Sequence, residues 1–197
     1  MKLVEYFLGC SDFELKILVH HLEIESGYKI LEVGCNETDL CNILHQLGCE
    51  AWGVDVNNND NAKFRFIQSN FQDVQLFDNY FDVAIDISAL HHFGIGHYGD
   101  RVDLDGDITA AKKIFRALKP GGLFYVSTDR IGKDYIPVAL DSFRQYNLNE
   151  FTNRIITPAG FKVLKLELYF PDIYPPRKAN IEIDGCDGKQ LFALLQK

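Results

Sequence analysis

The sequence contains no apolar run approaching the ~18 residues that a membrane-spanning helix needs. It has no internal repeat, no low-complexity segment and no composition break that would divide it into two domains. Basic residues are in deficit, 20 against 28 acidic, for a net charge of −8. That balance weighs against nonspecific nucleic-acid binding, which depends on neutralising phosphates. The N-terminus, MKLVEYFLGC, carries a single lysine, an early Glu5 and the polar pair Ser11-Asp12, so it makes a poor signal peptide. Five cysteines, at 10, 35, 41, 49 and 186, form no C-x-x-C pair. They read as small buried thiols of a reducing, cytoplasmic setting.

What is present is one domain's worth of chain with ample apolar residues for a core. Residues 1–27 read as an N-terminal helical extension and 28–197 as an α/β core. In the extension, Ser11-x-x-Glu14 has the form of a capping box, and Phe13, Ile17, Leu18 and Leu22 recur at helical spacing up to Gly27. The first ten residues suggest a further short helix, a lid over the core. His20 and His21 fall near the helix C-terminus, where a solvated, capping pair is expected.

The core is organised by YKILEVGCNETDLCNILHQLGCEAWGVDVN, residues 28–57. An apolar run, Ile30 to Val33, breaks at Gly34. A helix follows over about 39–48, and a second run, Ala51 to Val56, contains Asp55. Strand, turn, helix and strand in this length make a βαβ unit. Its right-handed crossover places Gly34 and Asp55 at the carboxyl ends of adjacent parallel strands, where open α/β sheets bind ligands. A carboxylate there suits a ribose diol. A dinucleotide fingerprint needs glycines at 36 and 39, where this chain has Asn36 and Asp39. Asp39 would repel a pyrophosphate, whereas Glu32, Asn36 and Asp39 suit the cationic methionine end of S-adenosylmethionine (SAM).

At this point LEVGCNETDL resembles motif I of the class I SAM-dependent methyltransferases, usually E-x-G-x-G-x-G. Glu32 and Gly34 are kept. Asn36 and Thr38 replace the later glycines; Asn36 is expected to take the left-handed turn and Thr38 to begin the helix. FDVAIDISALHH, residues 81–92, is similar to the family's motif IV region. The helix ending L-K-P-G-G, residues 118–122, is similar to its turn before strand five, where Pro and Gly stop the helix. The insert H-Y-G-D-x-x-D-x-D-G-D, residues 97–107, also resembles a poorly characterised bacterial methyltransferase-like subgroup. The resemblance implies a Rossmann-like, seven-stranded, mostly parallel sheet with helices on both faces, its last two strands a hairpin with the seventh antiparallel. It implies S-adenosylmethionine as cofactor. Glu32, Gly34, Cys35, Asn36 and Asp39 would hold or border its methionine end, and Asp55 and Val56 its ribose. Ser69, Asn70 and Phe71 would border adenine, and Asp86, Ile87 and Ser88 the methyl centre. Phe71 reads equally as core, and Cys35 as a space-filling thiol.

Residues 91–109, HHFGIGHYGDRVDLDGDIT, hold three histidines, four aspartates and one arginine just after strand four. Methyl transfer needs an aligned acceptor and, for a hydroxyl, a base. His91 and His92 are the candidate bases, or else structural residues of the sheet edge. Tyr98, Asp100 and Arg101 are candidates to hold a small polar, hydroxylated or sugar-like acceptor. Asp103, Asp105 and Asp107 resemble the start of a calcium loop, but Ile114 stands where its bidentate Glu belongs. The reading is therefore no metal, with Asp107 as N-cap of the helix from Ile108 to Leu118. The rival function is a methyltransferase-fold module that binds SAM, or a protein partner, without turnover.

Overall fold

A computed structural model describes residues 13–36, 38–139, 142–170, 177–180 and 188–197. Ser11, the first ten residues and most of the 171–188 loop lie outside them. Helix α1 (Phe13–His21) leads into β1 (Lys29–Val33), α2 (Leu40–Gln46) and β2 (Glu50–Asp55), the βαβ unit at the expected place. Strands β3 (Arg65–Gln68) and β4 (Phe81–Asp86) follow, then a 3-10 turn at Leu90–His92 and helix α3 (Gly106–Ala117). Next come β5 (Leu118–Arg130), a short hairpin of β6 (Ile136–Ala139) and β7 (Phe143–Gln145), and helix α4 (Leu148–Phe151) with a π-turn over Thr152–Ile156. The chain ends with β8 (Lys162–Phe170), β9 (Arg177–Lys178) and β10 (Gln190–Gln196).

The main sheet has the order β3-β2-β1-β4-β5-β10-β8-β9. Its first five strands are parallel; β10 runs antiparallel to both β5 and β8. The sheet has eight strands rather than seven because two residues of the late loop, Arg177 and Lys178, pair with the end of β8 as β9. The β6–β7 hairpin forms a separate sheet that the sequence pattern does not announce.

Side-chain alternation explains why the central strands read as unbroken apolar runs: both faces are covered. Ile30, Val83, Ile85, Tyr125 and Phe192 pack beneath α1 and α2, with Leu15, Leu18, Leu40 and Leu44. Leu31, Val33, Ala84, Phe124, Val126 and Leu191 face the other way, against α3 and the π-turn, with Ala110, Ala111, Ile114 and Ile155. The alanines of α3 let that helix lie close to the strands.

Four expectations need correction. The helix before β5 begins at Gly106, with Asp105 in the N-cap position, so Asp107 is not the cap. Asp107 is fully buried and ion-paired with Arg154, Nη2 to Oδ1 at 2.7 Å, and it accepts the Tyr146 hydroxyl at 2.7 Å. Lys119 to Gly122 is not a turn ahead of β5 but a bulge within it, with Gly121 at φ +80 and a register shift against β4. His21 is not solvated: its Nε2 lies 2.9 Å from Glu167 of β8, and only His20 is exposed. The α1 helix stops at His21, and Gly27 (φ +89) turns the chain into β1.

Candidate functional site

The pairing register sets the site. Val33 of β1 lies opposite Val54 of β2 and Asp86 of β4, so the residues after each strand emerge at one edge of the sheet. There Gly34, Asn36, Asp55, Val56, Asn57, Ser69, Asn70, Phe71, Ile87, Ser88, Ala89, His92, Phe93, Tyr98 and Asp100 line one cleft. It holds about 730 Å³ between its walls, open mouth included.

The floor is backbone. Gly34 has φ +74, and a Cβ on it would overlap the Cβ of Ala89 in the turn after β4. Only glycine permits these two turns to approach so closely. Asp55 closes the β2 side: its Oδ2 accepts the Asn36 N–H at 3.0 Å and its Oδ1 the Asn57 N–H at 2.9 Å. Each oxygen retains acceptor capacity toward the cleft. Asn36 takes no left-handed conformation. Its side-chain amide instead donates to the carbonyls of Asn57 and Asn58, at 2.8 and 3.2 Å, and stitches the first turn to the second.

Four of the residues assigned to the cofactor lie beneath or beside the cleft rather than in its wall. Glu32 is buried and accepts the Thr38 hydroxyl at 2.5 Å. Burial pushes its carboxyl up to about 7. Thr38 precedes α2 instead of starting it, and its hydroxyl accepts the Leu40 N–H at 3.3 Å. Asp86 is also buried and raised to about 7 by that burial. Its Oδ1 accepts the N–H groups of Ala89 and Leu90, at 3.2 and 3.1 Å, and so shapes the turn beneath Ser88. Cys35 is buried, with its sulfur against Gly53, and burial raises its thiol. Asp39 is exposed and accepts the Asn42 side-chain amide at 2.7 Å.

The histidine pair divides. His91 is buried, with its Nδ1 3.1 Å from the Thr128 hydroxyl; burial, then His92 and Arg144 nearby, hold it well below the usual histidine range. His92 lines the cleft, its Nδ1 2.5 Å from the Ser142 carbonyl. A carbonyl only accepts, so Nδ1 carries the proton and Nε2 is the basic nitrogen of the neutral ring. Tyr98 and Asp100 reach the cleft; Arg101 is exposed and does not line it.

Two supporting roles escaped the sequence reading, which placed Glu14 only in a capping box and did not single out Lys113. Glu14 of α1 accepts hydrogen bonds on Oε1 from Ser88 Oγ (2.6 Å), Ser127 Oγ (2.7 Å) and Gln190 Nε2 (2.7 Å). Ser88 needs this support because it is held at φ +51. Lys113 of α3 donates to the carbonyls of Phe71, Gln72 and Val74 at 2.7, 2.6 and 2.9 Å, fixing the segment after β3. A first-turn acid and a mid-helix lysine have no local pattern that announces such distant partners.

The family model described as "Caenorhabditis protein of unknown function, DUF268" matches residues 27–151. Sterol 24-C-methyltransferase erg6 of Aspergillus fumigatus is 32% identical over 124 residues, which span 55% of this chain and 30% of that protein. The chain therefore matches under a third of that relative's length. An S-adenosylmethionine-dependent methyltransferase from Mesorhizobium loti superposes with a TM-score of 0.67 at 15% identity, over 95% of this chain and 99% of that one. The Burkholderia thailandensis 1,6-didemethyltoxoflavin-N1-methyltransferase, solved with 1,6-didemethyltoxoflavin and S-adenosylhomocysteine, superposes with a TM-score of 0.63 at 16% identity, over 87% and 72%. The fold is that of the class I SAM-dependent methyltransferases.

Proposed function

The chain belongs to the DUF268 family, and from its site we propose that it is a SAM-dependent methyltransferase acting on a small polar acceptor. The observation that carries this is Asp55, a carboxylate oriented by two backbone N–H groups beside the bare Gly34 backbone in the cleft at the carboxyl edge of the parallel strands. The residues fit the cofactor. Asp55 offers acceptors to a ribose diol, Asn70 a polar partner for the adenine amine, and Phe71 an apolar surface beside the ring. Gly34, Asn36, Ile87 and Ser88 would border the methionine end and the methyl centre, over the buried acids Glu32 and Asp86. The cleft wall has no lysine or arginine among its described residues, which suits a sulfonium and an ammonium better than a pyrophosphate.

When bound, this cofactor supplies a methyl group activated by a sulfonium. The protein's own work is to align the acceptor and receive its proton. His92 is the base, taking the proton on Nε2 while the Ser142 carbonyl holds the tautomer. Tyr98 and Asp100 hold the acceptor. His91 supports the turn through Thr128. Buried free thiols at Cys35, Cys41 and Cys49 suit a reducing, cytoplasmic setting.

One observation favours a second reading, a SAM-binding module without turnover. The side chains that replace the later glycines, Asn36 and Thr38, are committed to internal hydrogen bonds. Thermal unfolding with SAM, S-adenosylhomocysteine, NAD and a nucleotide sugar tests the cofactor. At 100 times its Kd a ligand stabilises by ~2.7 kcal/mol, a shift of several degrees. Stabilisation by SAM and S-adenosylhomocysteine alone, lost in Asp55→Ala, is expected. Stabilisation by NAD instead, or indifference to Asp55→Ala, would refute the assignment. Methylation of an acceptor separates the enzyme from the inactive module.

A further inference from the structure

The far wall of the same cleft bears on the acceptor's chemistry. Building on the methyltransferase reading, we propose that the acceptor presents a positively charged nitrogen, an ammonium group, to Asp100 and to the rings of His92, Phe93 and Tyr98.

The charge of the wall is one-sided. Its carboxylates are Asp55, already placed against the ribose, and Asp100; no lysine or arginine lines it among the described residues. Arg101, the one cation that the neighbouring sequence offers, is exposed and outside the lining. An anionic acceptor would therefore meet a carboxylate with no lysine or arginine beside it among the described residues, an unfavourable juxtaposition.

Asp100 is fixed in the cleft wall by its own loop. Its Oδ2 accepts the Gly94 N–H at 2.6 Å. Its Oδ1 is buried and has no hydrogen-bond partner among the described residues. The loop that carries Asp100 is built for this position. Gly94 has φ +76, its N–H goes to Asp100, and its carbonyl accepts the Asp103 N–H at 2.8 Å. A Cβ on Gly94 would overlap the Asp103 carbonyl.

The rings complete the set. Tyr98 stands edge-on to His92, with centroids 5.3 Å apart, and Phe93 lies against Phe71 at 5.7 Å. Aromatic faces beside a carboxylate attract ammonium and alkylammonium groups through the ring quadrupole. A polyol could satisfy the carboxylate oxygen, but it would forgo that attraction.

The test is a titration of the full chain, saturated with S-adenosylhomocysteine and followed by thermal unfolding. The probes are ethanolamine and choline chloride, against sodium acetate and glycerol at matched ionic strength. Saturable stabilisation by the two cations alone is expected. Asp100→Asn keeps an oxygen for the Gly94 N–H, so the loop should hold. In it the cation Kd should rise about ten-fold or more, with S-adenosylhomocysteine affinity unchanged. Tyr98→Leu should weaken choline more than ethanolamine. Stabilisation by acetate or glycerol instead, no response to either cation, or an unchanged cation Kd in Asp100→Asn would overturn the proposal. So would a loss of S-adenosylhomocysteine binding in that variant, which would give Asp100 to the adenine amine. A wild-type protein that ignores S-adenosylhomocysteine itself would count against the cofactor assignment, a distinguishable failure.

Discussion

Replacing Gly34 by alanine should cost more than replacing Gly27, and the difference measures how tightly the two turns of the cleft floor meet. Both residues have positive φ, +74 and +89. An L-residue there costs ~1–2 kcal/mol. At Gly27 nothing lies within 4 Å of the added Cβ, so that cost stands alone. At Gly34 the new carbon would sit well inside van der Waals distance of Ala89 Cβ. Forcing the β4 turn outward adds ~1–3 kcal/mol, the usual penalty of overpacking. Gly34→Ala should therefore lose about 2–5 kcal/mol in all, and Gly27→Ala about 1–2. At ~2–4 °C per kcal/mol for a chain of this size, the two melting temperatures should differ by about 2–12 °C. Trp52 is the single tryptophan and packs among Phe77, Tyr80 and Phe81 beside β1, so its fluorescence reports urea and thermal unfolding of the βαβ unit directly. Equal losses in the two variants would refute the argument that contact with Ala89, rather than backbone conformation alone, demands glycine at 34.

His92→Asn should lower turnover by ~10²-fold or more while leaving the S-adenosylhomocysteine-dependent shift intact; a smaller effect than that of His91→Asn would exchange the two assignments. Lys113→Met removes the donor to three carbonyls and should destabilise by ~1–3 kcal/mol, with faster amide exchange over residues 69–74 in hydrogen-exchange mass spectrometry. Burial raises the Glu32 and Asp86 carboxyls from 4.5 and 3.8 to about 7. At these two sites the folded state thus holds protons that the unfolded state has released between pH ~4 and 7, and their contribution to stability falls as pH rises through that window. Urea midpoints at pH 5.5 and 8 should show the fall, and Glu32→Gln should flatten it; a midpoint that climbs with pH in both proteins would sink this account. Glu14→Ala should weaken S-adenosylhomocysteine binding, and pairing it with Ser88→Gly should restore part of the loss, because glycine takes φ +51 without the strut.

The βαβ unit is legible in the sequence because its signals are local: apolar runs of strand length, a glycine, a helix, and an aspartate at the end of the second strand. Strands buried on both faces leave a mark that needs no knowledge of their neighbours. The β6–β7 hairpin leaves none. Its first strand, Ile136–Ala139, contains Pro137 and is mostly exposed, so it carries neither alternation nor an apolar run. Asp107 reads as a helix cap because caps are local, whereas its partners Tyr146 and Arg154 lie 39 and 47 residues away. The same holds for His21, whose partner Glu167 is 146 residues distant. The histidine pair shows the limit within a single motif. These adjacent residues of a 3-10 turn differ in surroundings, and only the placement of Thr128 and Ser142 decides which one serves the cleft.

The position of β10 bears on how the chain can fold as it is made. β10 is the strand through which β8 and β9 join the sheet, since it pairs with β5 on one side and β8 on the other. While a ribosome is still synthesising residues 190–196, β5 presents an unpaired edge and β8 has no neighbour toward the centre. The parallel half can form early from contacts close in sequence, but the antiparallel half closes only later, by insertion of a strand between two waiting edges. Such an edge is open to pairing with other chains for as long as it waits. For this protein, slow release of the segment that carries β10 would bring a greater aggregation risk than slow synthesis of the parallel half.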